Sequence, residues 1–220
     1  MKTVRVLAVS VAAAVCICTS SFADGFGNLK ADTAVRLRAF MPQQEEDWDS
    51  AIGAEIQARF WSDGNIGVAL SLGIDTWQAR NEYSEQSDDV GTIASSIYGS
   101  MTLLPVGASV LFRNQVGSGL AVILEAGVRY VFTDSNLNAE ITYTDASGET
   151  FSRDRIYCDR PFLGVVGVTL EGAMSEDISF HLGLGYQFDL TRPHETFMGE
   201  DAGVTSFTSP MVNLGLSWSF

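Results

Sequence analysis

Large apolar residues alternate with small or polar ones in several short segments of this chain. The pattern is clearest at the end, where the apolar positions are Val212, Leu214, Leu216, Trp218 and Phe220. Period-two alternation is typical of a β-strand with one apolar and one polar face. The terminal aromatic ring suits a membrane boundary, where such side chains are favoured.

The same alternation predicts eight strands. They span residues 33–41, 51–61, 66–77, 97–112, 120–132, 162–172, 178–188 and 211–220. The connections 62–65, 113–119 and 173–177 are short, whereas 78–96, 133–161 and 189–210 are long and polar. An even strand number with this loop asymmetry is typical of an outer-membrane barrel. We therefore predict an all-β fold, an eight-stranded antiparallel up-and-down transmembrane β-barrel.

Two local signals refine this prediction. Alternation within the third long loop, followed by Ser147 and Gly148, predicts a hairpin that continues above the membrane. In the fourth strand the apolar positions change from odd to even at Pro105. Because proline cannot donate a ladder hydrogen bond, we expect a β-bulge at Leu104 and Pro105, or else a strand that begins at Pro105. The two alternatives differ in whether Met101 and Leu103 point outward.

The first residues predict export from the cytoplasm. Lys2 precedes an apolar run over residues 6–17, and small residues lead to Ala23. The run is shorter than the roughly 20 residues that a membrane-spanning helix needs. We expect a signal peptide over residues 1–23, a barrel over residues 24–220, and a location in the outer membrane of a Gram-negative-type bacterium.

The inward-facing parity of the predicted strands carries charges of both signs. These are Arg36, Arg38, Arg59, Arg113 and Arg129 against Glu55, Asp75, Glu125, Glu171 and Asp189. Charges away from bulk water persist when they are paired, and an eight-stranded barrel is just wide enough for side chains to fill. The pattern predicts a lumen plugged by salt bridges, with His181 in the network beside Glu171. A general porin is disfavoured.

Aromatic residues near the strand ends predict two interfacial girdles. They are Trp61 and Trp218 on the turn side, with Trp77, Tyr98, Tyr130, Phe132 and Phe188 on the loop side.

Charge limits the choice of partners. The chain has 27 acidic residues against 13 lysines and arginines, a formal net charge of −14, so nucleic acid is an implausible partner. Most of the acid lies in the long loops, where it provides solubility or a cation-bridged contact with lipopolysaccharide or a basic host surface. The loop arginines Arg153, Arg155 and Arg160 are an alternative means of holding lipid A phosphates.

One residue pair has catalytic potential. Ser179 and His181 lie two apart on the seventh predicted strand and so share its inward face. A hydroxyl beside an imidazole is the minimum for nucleophilic hydrolysis, but membership of the lumenal network beside Glu171 is the favoured interpretation of His181. No metal-ligand spacing, phosphate loop or cofactor motif appears in the sequence. We expect no metal, no cofactor and no enzymatic activity.

The chain resembles the small eight-stranded outer-membrane barrels of the OmpA, OmpX and OmpW type. The resemblance rests on the signal ending at Ala23, the eight segments, the loop asymmetry and the terminal residues. Leu214, Leu216, Trp218 and Phe220 are similar to the C-terminal signal that the barrel-assembly machinery reads.

This resemblance implies a monomer surrounded by outer-membrane lipid and lipopolysaccharide. It implies a structural or surface-interaction role, namely envelope integrity or adhesion to a host or cell-surface ligand through the acidic loops. OmpW-like passage of small hydrophobic solutes is the alternative. Lipid A deacylases are also eight-stranded barrels, but their histidine precedes the serine and the pair faces lipid. Ser179 precedes His181 and both face inward, so a lipid hydrolase is the less favoured interpretation.

Overall fold

Alternating sequences of this kind form strands whose backbone groups pair laterally, and the computed structural model shows where they pair. It describes residues 30–42, 48–62, 65–80, 82–87 and 91–219. The predicted signal peptide and Phe220 lie outside the described residues. The strands are β1 (Lys30–Phe40), β2 (Trp48–Trp61), β3 (Ile66–Ala79), β4 (Glu82–Ser87), β5 (Gly91–Tyr98), β6 (Ser100–Gly117), β7 (Leu120–Ser135), β8 (Asn138–Asp145), β9 (Gly148–Cys158), β10 (Phe162–Ala173), β11 (Ile178–Asp189), β12 (His194–Phe197), β13 (Glu200–Val204) and β14 (Ser209–Ser219).

Eight of these strands close into an antiparallel barrel in the order β1-β14-β11-β10-β7-β6-β3-β2. Closure occurs where β1 pairs with β14, for example Arg36 opposite Gly215. The predicted fold class is confirmed, and each of the eight predicted segments contributes a barrel strand. Closure removes the unpaired strand edges, so every barrel strand has a neighbour on both sides.

Alternation sorts the side chains between the inside and the outside of the barrel. In β1, Leu37 is 63% exposed whereas the adjacent Arg36 and Arg38 are each 3% exposed. The outward positions of the eight barrel strands form a belt that is apolar or small, with a few polar residues towards the strand ends. No charged residue lies on the outward parity in the middle of the strands. Within the part of the chain that the structure describes, no helix is long and apolar enough to cross a membrane.

The three long loops form a second, six-stranded sheet in the order β13-β12-β9-β8-β5-β4. Each of its hairpins is connected to two neighbouring barrel strands by only a few residues, so the sheet extends the barrel wall. We call this six-stranded sheet the extension. The predicted hairpin of the third loop is confirmed, since β8 and β9 pair from Asn138 opposite Arg155 to Asp145 opposite Gly148. The hairpins of the other two long loops were not foreseen.

The predicted bulge at Leu104 and Pro105 is wrong, and so is the late strand start. β6 keeps one register with β3 across the proline, with Val106 opposite Leu72 and Leu103 opposite Asp75. The ladder to β3 lapses only beside Pro105, which has no N–H to donate. Leu103 is 1% exposed and points inward with Met101, so the change in apolar parity marks a change in the interior and not a slip in register.

Candidate functional site in the barrel lumen

The charges at the centre of the lumen form a continuous network. Arg38 bridges two strands, because its Nη1 donates to Glu55 at 2.7 Å and its Nη2 to Asp75 at 2.7 Å. Arg129 donates to the same Glu55 oxygen at 2.7 Å. All four side chains are at most 3% exposed. A planar guanidinium with several fixed donors suits this bridging, which a lysine could not reproduce.

A second group lies beside the first and shares Glu55 with it. Arg36 donates to Glu125 at 2.8 Å, and Ser109 donates to the same carboxylate at 2.9 Å. Gln57 joins the two groups by donating to Glu55 and Glu125 at 3.1 Å each. The carboxylates are therefore held by neutral donors as well as by arginines, which lowers the cost of burying them.

A third group lies at the end of the barrel that carries the short turns. Arg59 pairs with Asp32 and, at 3.2 Å, with Glu171, which also pairs with Arg113. The indole of Trp61 donates to Asp32 at 2.6 Å and lies beneath two guanidinium groups, those of Arg59 at 5.8 Å and Arg113 at 5.6 Å from its ring centre. The ring is thus held by a hydrogen bond and by cation–π contacts together.

Glycines make room for these large side chains. A Cβ at Gly53 would collide with the Asp75 carboxylate, and one at Gly73 would collide with the Arg38 guanidinium. The sequence places these glycines on the inward parity, opposite the charges. The glycines that interrupt the strands are therefore part of the packing of the network.

At the loop end the lumen is apolar. Phe40, Trp48, Trp77 and Phe207 pack together with ring centres 5.2–5.7 Å apart. We call this group, with its buried neighbours, the aromatic plug. The neighbours are Ala51, Ala79, Met101, Leu103, Val131, Leu137, Ala139, Ile156, Leu163, Val165 and Met211. Three of them, Leu137, Ala139 and Ile156, come from the hairpin β8–β9 and its approach, so the extension packs onto the plug.

The structure brings together ten of the eleven residues that the sequence assigns to the network, and places Asp189 elsewhere. Asp189 lies at the loop end of β11, where it accepts hydrogen bonds from the Ser206 hydroxyl at 2.5 Å and the Phe207 backbone at 3.2 Å. It holds the last loop against the plug. Asp32, which pairs with Arg59, is missing from the predicted network. It lies one residue before the predicted first strand on the same parity as Arg36, so extending that strand would have found it.

The contacts of His181 differ from those of the histidine in a catalytic triad. The Nε2 of His181 lies 2.8 Å from the Ser217 hydroxyl and 3.1 Å from Glu171, so one nitrogen faces both groups. In a catalytic triad the histidine contacts the serine and the acid through different nitrogens. Among the described residues, Nδ1 of His181 has no hydrogen-bond partner. The histidine therefore sits in the network beside Glu171, with Ser217 and not Ser179 as its hydroxyl partner.

The girdle prediction is wrong for two of its tryptophans. Trp61 and Trp77 are 5% and 0% exposed and lie inside the barrel, which their shared odd parity with Arg59 and Asp75 could have indicated. On the outside, Tyr130 contacts Phe132 and Phe162, with ring centres 5.0 and 4.9 Å apart. Outward rings thus mark the loop end of the belt, as an interfacial girdle requires.

Cys158 packs against the plug from the extension. Cys158 ends β9, and its burial, together with the nearby Glu195, raises the pKa of its thiol. The protonated thiol is a poor nucleophile.

Comparisons with known proteins identify the fold. No protein-family profile matches the sequence, and no curated protein sequence matches it. The outer membrane protein OprG from Pseudomonas aeruginosa superimposes with a TM-score of 0.53 at 12% identity, over 88% of this chain and 98% of that one.

Two other solved structures are similar over the same extent. Neisserial surface protein A gives a TM-score of 0.49 at 11% identity, covering 88% of this chain and 98% of that one. A major outer membrane protein from Thermus thermophilus gives 0.49 at 16% identity, covering 86% and 99%. The chain has the fold of the small eight-stranded outer-membrane barrels. That fold and the uncharged apolar belt together place the chain in the outer membrane.

Proposed function

We propose that this outer-membrane barrel is a closed, non-enzymatic anchor that displays the β-sheet extension at the cell surface. The observation that supports this proposal is the composition of the lumen. Three buried charged groups and the aromatic plug lie in series along it, and Arg38, Glu55 and Trp77 each retain at most 3% of their surface. A structural or surface-interaction role needs no open path through the barrel.

The experiment is single-channel recording in a planar bilayer. We expect the wild-type protein to insert without stepwise conductance, whereas a 16-stranded porin inserted in the same way conducts, because its wider barrel leaves an aqueous channel. Trp77→Ala should also stay closed, since the charged groups below the plug remain. Stable open steps from the wild-type protein would contradict the proposal.

Passage of small apolar solutes is the second candidate, and one observation favours it. The inner face of the extension is apolar where it rises from the plug, with Ile97 38% exposed and Ile93 48% exposed on β5. By strand pairing, Ile141 and Tyr143 of β8 share that face. Faster uptake of an apolar dye by liposomes that contain the protein, without ion conductance, would favour this candidate over the closed anchor.

A further inference from the structure

Eight of the arginines that the structure describes fall into two classes. Within the described residues, Arg36, Arg38, Arg59, Arg113 and Arg129 in the lumen each pair with a carboxylate. Arg155, Arg160 and Arg192 are exposed, and the described residues supply no carboxylate within 4.0 Å of them. In a chain with a formal net charge of −14, these three exposed cations are available to an anion from outside the chain.

Two of these arginines flank the outward aromatic cluster at the loop end of the belt. The Arg160 guanidinium lies over the Phe132 ring, 5.5 Å from its centre. Arg192 follows Thr191, whose hydroxyl accepts a hydrogen bond from the Phe162 backbone at 2.8 Å and whose N–H donates to the Phe162 carbonyl at 3.2 Å. Phe132 and Phe162 both contact Tyr130, so both arginines stand at the rim beside one cluster of rings.

The third arginine lies above the same sector of the barrel. Arg155 is on β9, which leads down into β10 through Arg160, and the five intervening steps span at most about 17 Å. Its neighbour Ile156 is 4% exposed and packs on the plug, so Arg155 points to the outside of the wall. Tyr157, 58% exposed, adds a ring to that outer face.

We propose that Arg155, Arg160 and Arg192 form a lateral binding site for the phosphate groups of lipid A on the outside of the barrel wall. Aromatic girdles mark the boundary of the hydrocarbon, and the lipid A phosphates lie directly above that boundary. A guanidinium group can donate two parallel hydrogen bonds to two oxygens of one phosphate. The adjacent apolar belt would contact the acyl chains of the same lipid molecule. The site is continuous with the membrane-facing belt, which selects a lipid over a soluble anion. This inference rests on the proposed surface-displaying anchor and names its lipid partner.

The test measures the midpoint temperature of thermal unfolding of the protein folded in detergent. Its readout is the loss of the folded band on gels run without boiling. The probe is bis-phosphorylated hexa-acylated lipid A, with dephosphorylated lipid A and inorganic phosphate as comparisons. We expect bis-phosphorylated lipid A to raise the midpoint by several degrees and both comparisons to raise it by less than one degree, since stabilisation follows affinity for the folded state.

The variants assign the effect to the proposed residues. The triple change R155Q/R160Q/R192Q should abolish the rise. Lys30 is an exposed cation at the start of β1, at the end of the barrel that carries the short turns, so Lys30→Gln should leave the rise intact. R153Q is a second control, because Arg153 already pairs with Glu140 at 3.3 Å on the same strand as Arg155. An equal rise with dephosphorylated lipid A, with inorganic phosphate or in the triple variant would overturn the site. The conductance of the triple variant should match the wild type, so failure of the site leaves the closed anchor standing and the two proposals fail separately.

Discussion

Arg38 is the residue on which the centre of the lumen depends. Its two terminal nitrogens serve Glu55 and Asp75, which lie on different strands, and Gly73 leaves the space that its guanidinium fills. Because these groups are buried, loss of one partner is strongly destabilising, since it leaves an uncompensated carboxylate away from water. Buried side chains therefore join the barrel strands across the lumen, in addition to the backbone hydrogen bonds that join them in the wall.

Replacing Arg38 with methionine should destabilise the folded barrel by about 3–5 kcal/mol, since it removes the arginine that donates to buried Asp75 and one of the two that donate to buried Glu55. Urea unfolding in detergent, monitored by tryptophan fluorescence, measures the change. Leu37→Met, which introduces the same side chain at the adjacent outward position, should cost less than about 1.5 kcal/mol. Similar losses for the two variants would show that the ion pairs contribute little.

At the scale of elements, the junction between barrel and extension decides how the loops are held. β5 ends at Tyr98 and β6 begins at Ser100, with Gly99 between them at a φ of 119°. A residue with a side chain would be in a disfavoured backbone conformation at this φ. Its Cβ would also collide with the backbone carbonyl of Asn136. The predicted fourth strand crossed this point without interruption because the apolar pattern alone does not register a change in backbone direction.

Gly99→Ala should loosen the extension and leave the barrel intact. Trypsin has cleavage sites after Arg153 and Arg155 on β9, and we expect cleavage there to accelerate at least about threefold as the extension opens more often. The folded band on unboiled gels should persist. Ser100→Ala, at the next residue in an extended conformation, is the control, and equal cleavage rates in the two variants would rule out a special role for Gly99.

At the scale of the whole molecule, closure and burial act together. The circular ladder joins β1 to β14, and the lumenal network links side chains from β1, β2, β3, β6, β7, β10 and β11 across the interior. The extension leaves two unpaired edges, β4 and β13, but the barrel has none. The barrel should therefore behave as one cooperative unit and the extension as a less stable one.

A barrel of this kind should stay folded in detergent until it is heated. We expect the unboiled outer-membrane fraction to show a band of different mobility from the boiled one, because the closed ladder offers no edge at which unfolding can begin. Recovery of the protein from the soluble periplasm, or one mobility under both conditions, would contradict the membrane-spanning barrel.

Much of the fold follows from the sequence by itself. Period-two alternation, loop lengths and strand count suffice to predict the barrel, its two ends and which charges face inward, because the side-chain period of a strand is a local property. The same rule, applied fully, places Trp61 and Trp77 inside and adds Asp32 to the network. The girdle assignment of the two tryptophans rests on residue type and not on parity, whereas Asp32 lies one residue before the predicted first strand.

The pairing inside the lumen was decided only by the tertiary structure. Arg38 meets Glu55 and Asp75, and Arg36 meets Glu125, 89 positions away, because closure sets the stagger between distant strands. Parity gives the face of a residue but not its height relative to a residue on another strand. The parity change at Pro105 likewise depends on the tertiary structure, because Met101 and Leu103 pack in the aromatic plug, whose members come from most of the barrel strands and from the extension. The sequence by itself determined the face of the residues whose strands keep one parity, because alternation is local. The geometry of closure decided which inward residues meet.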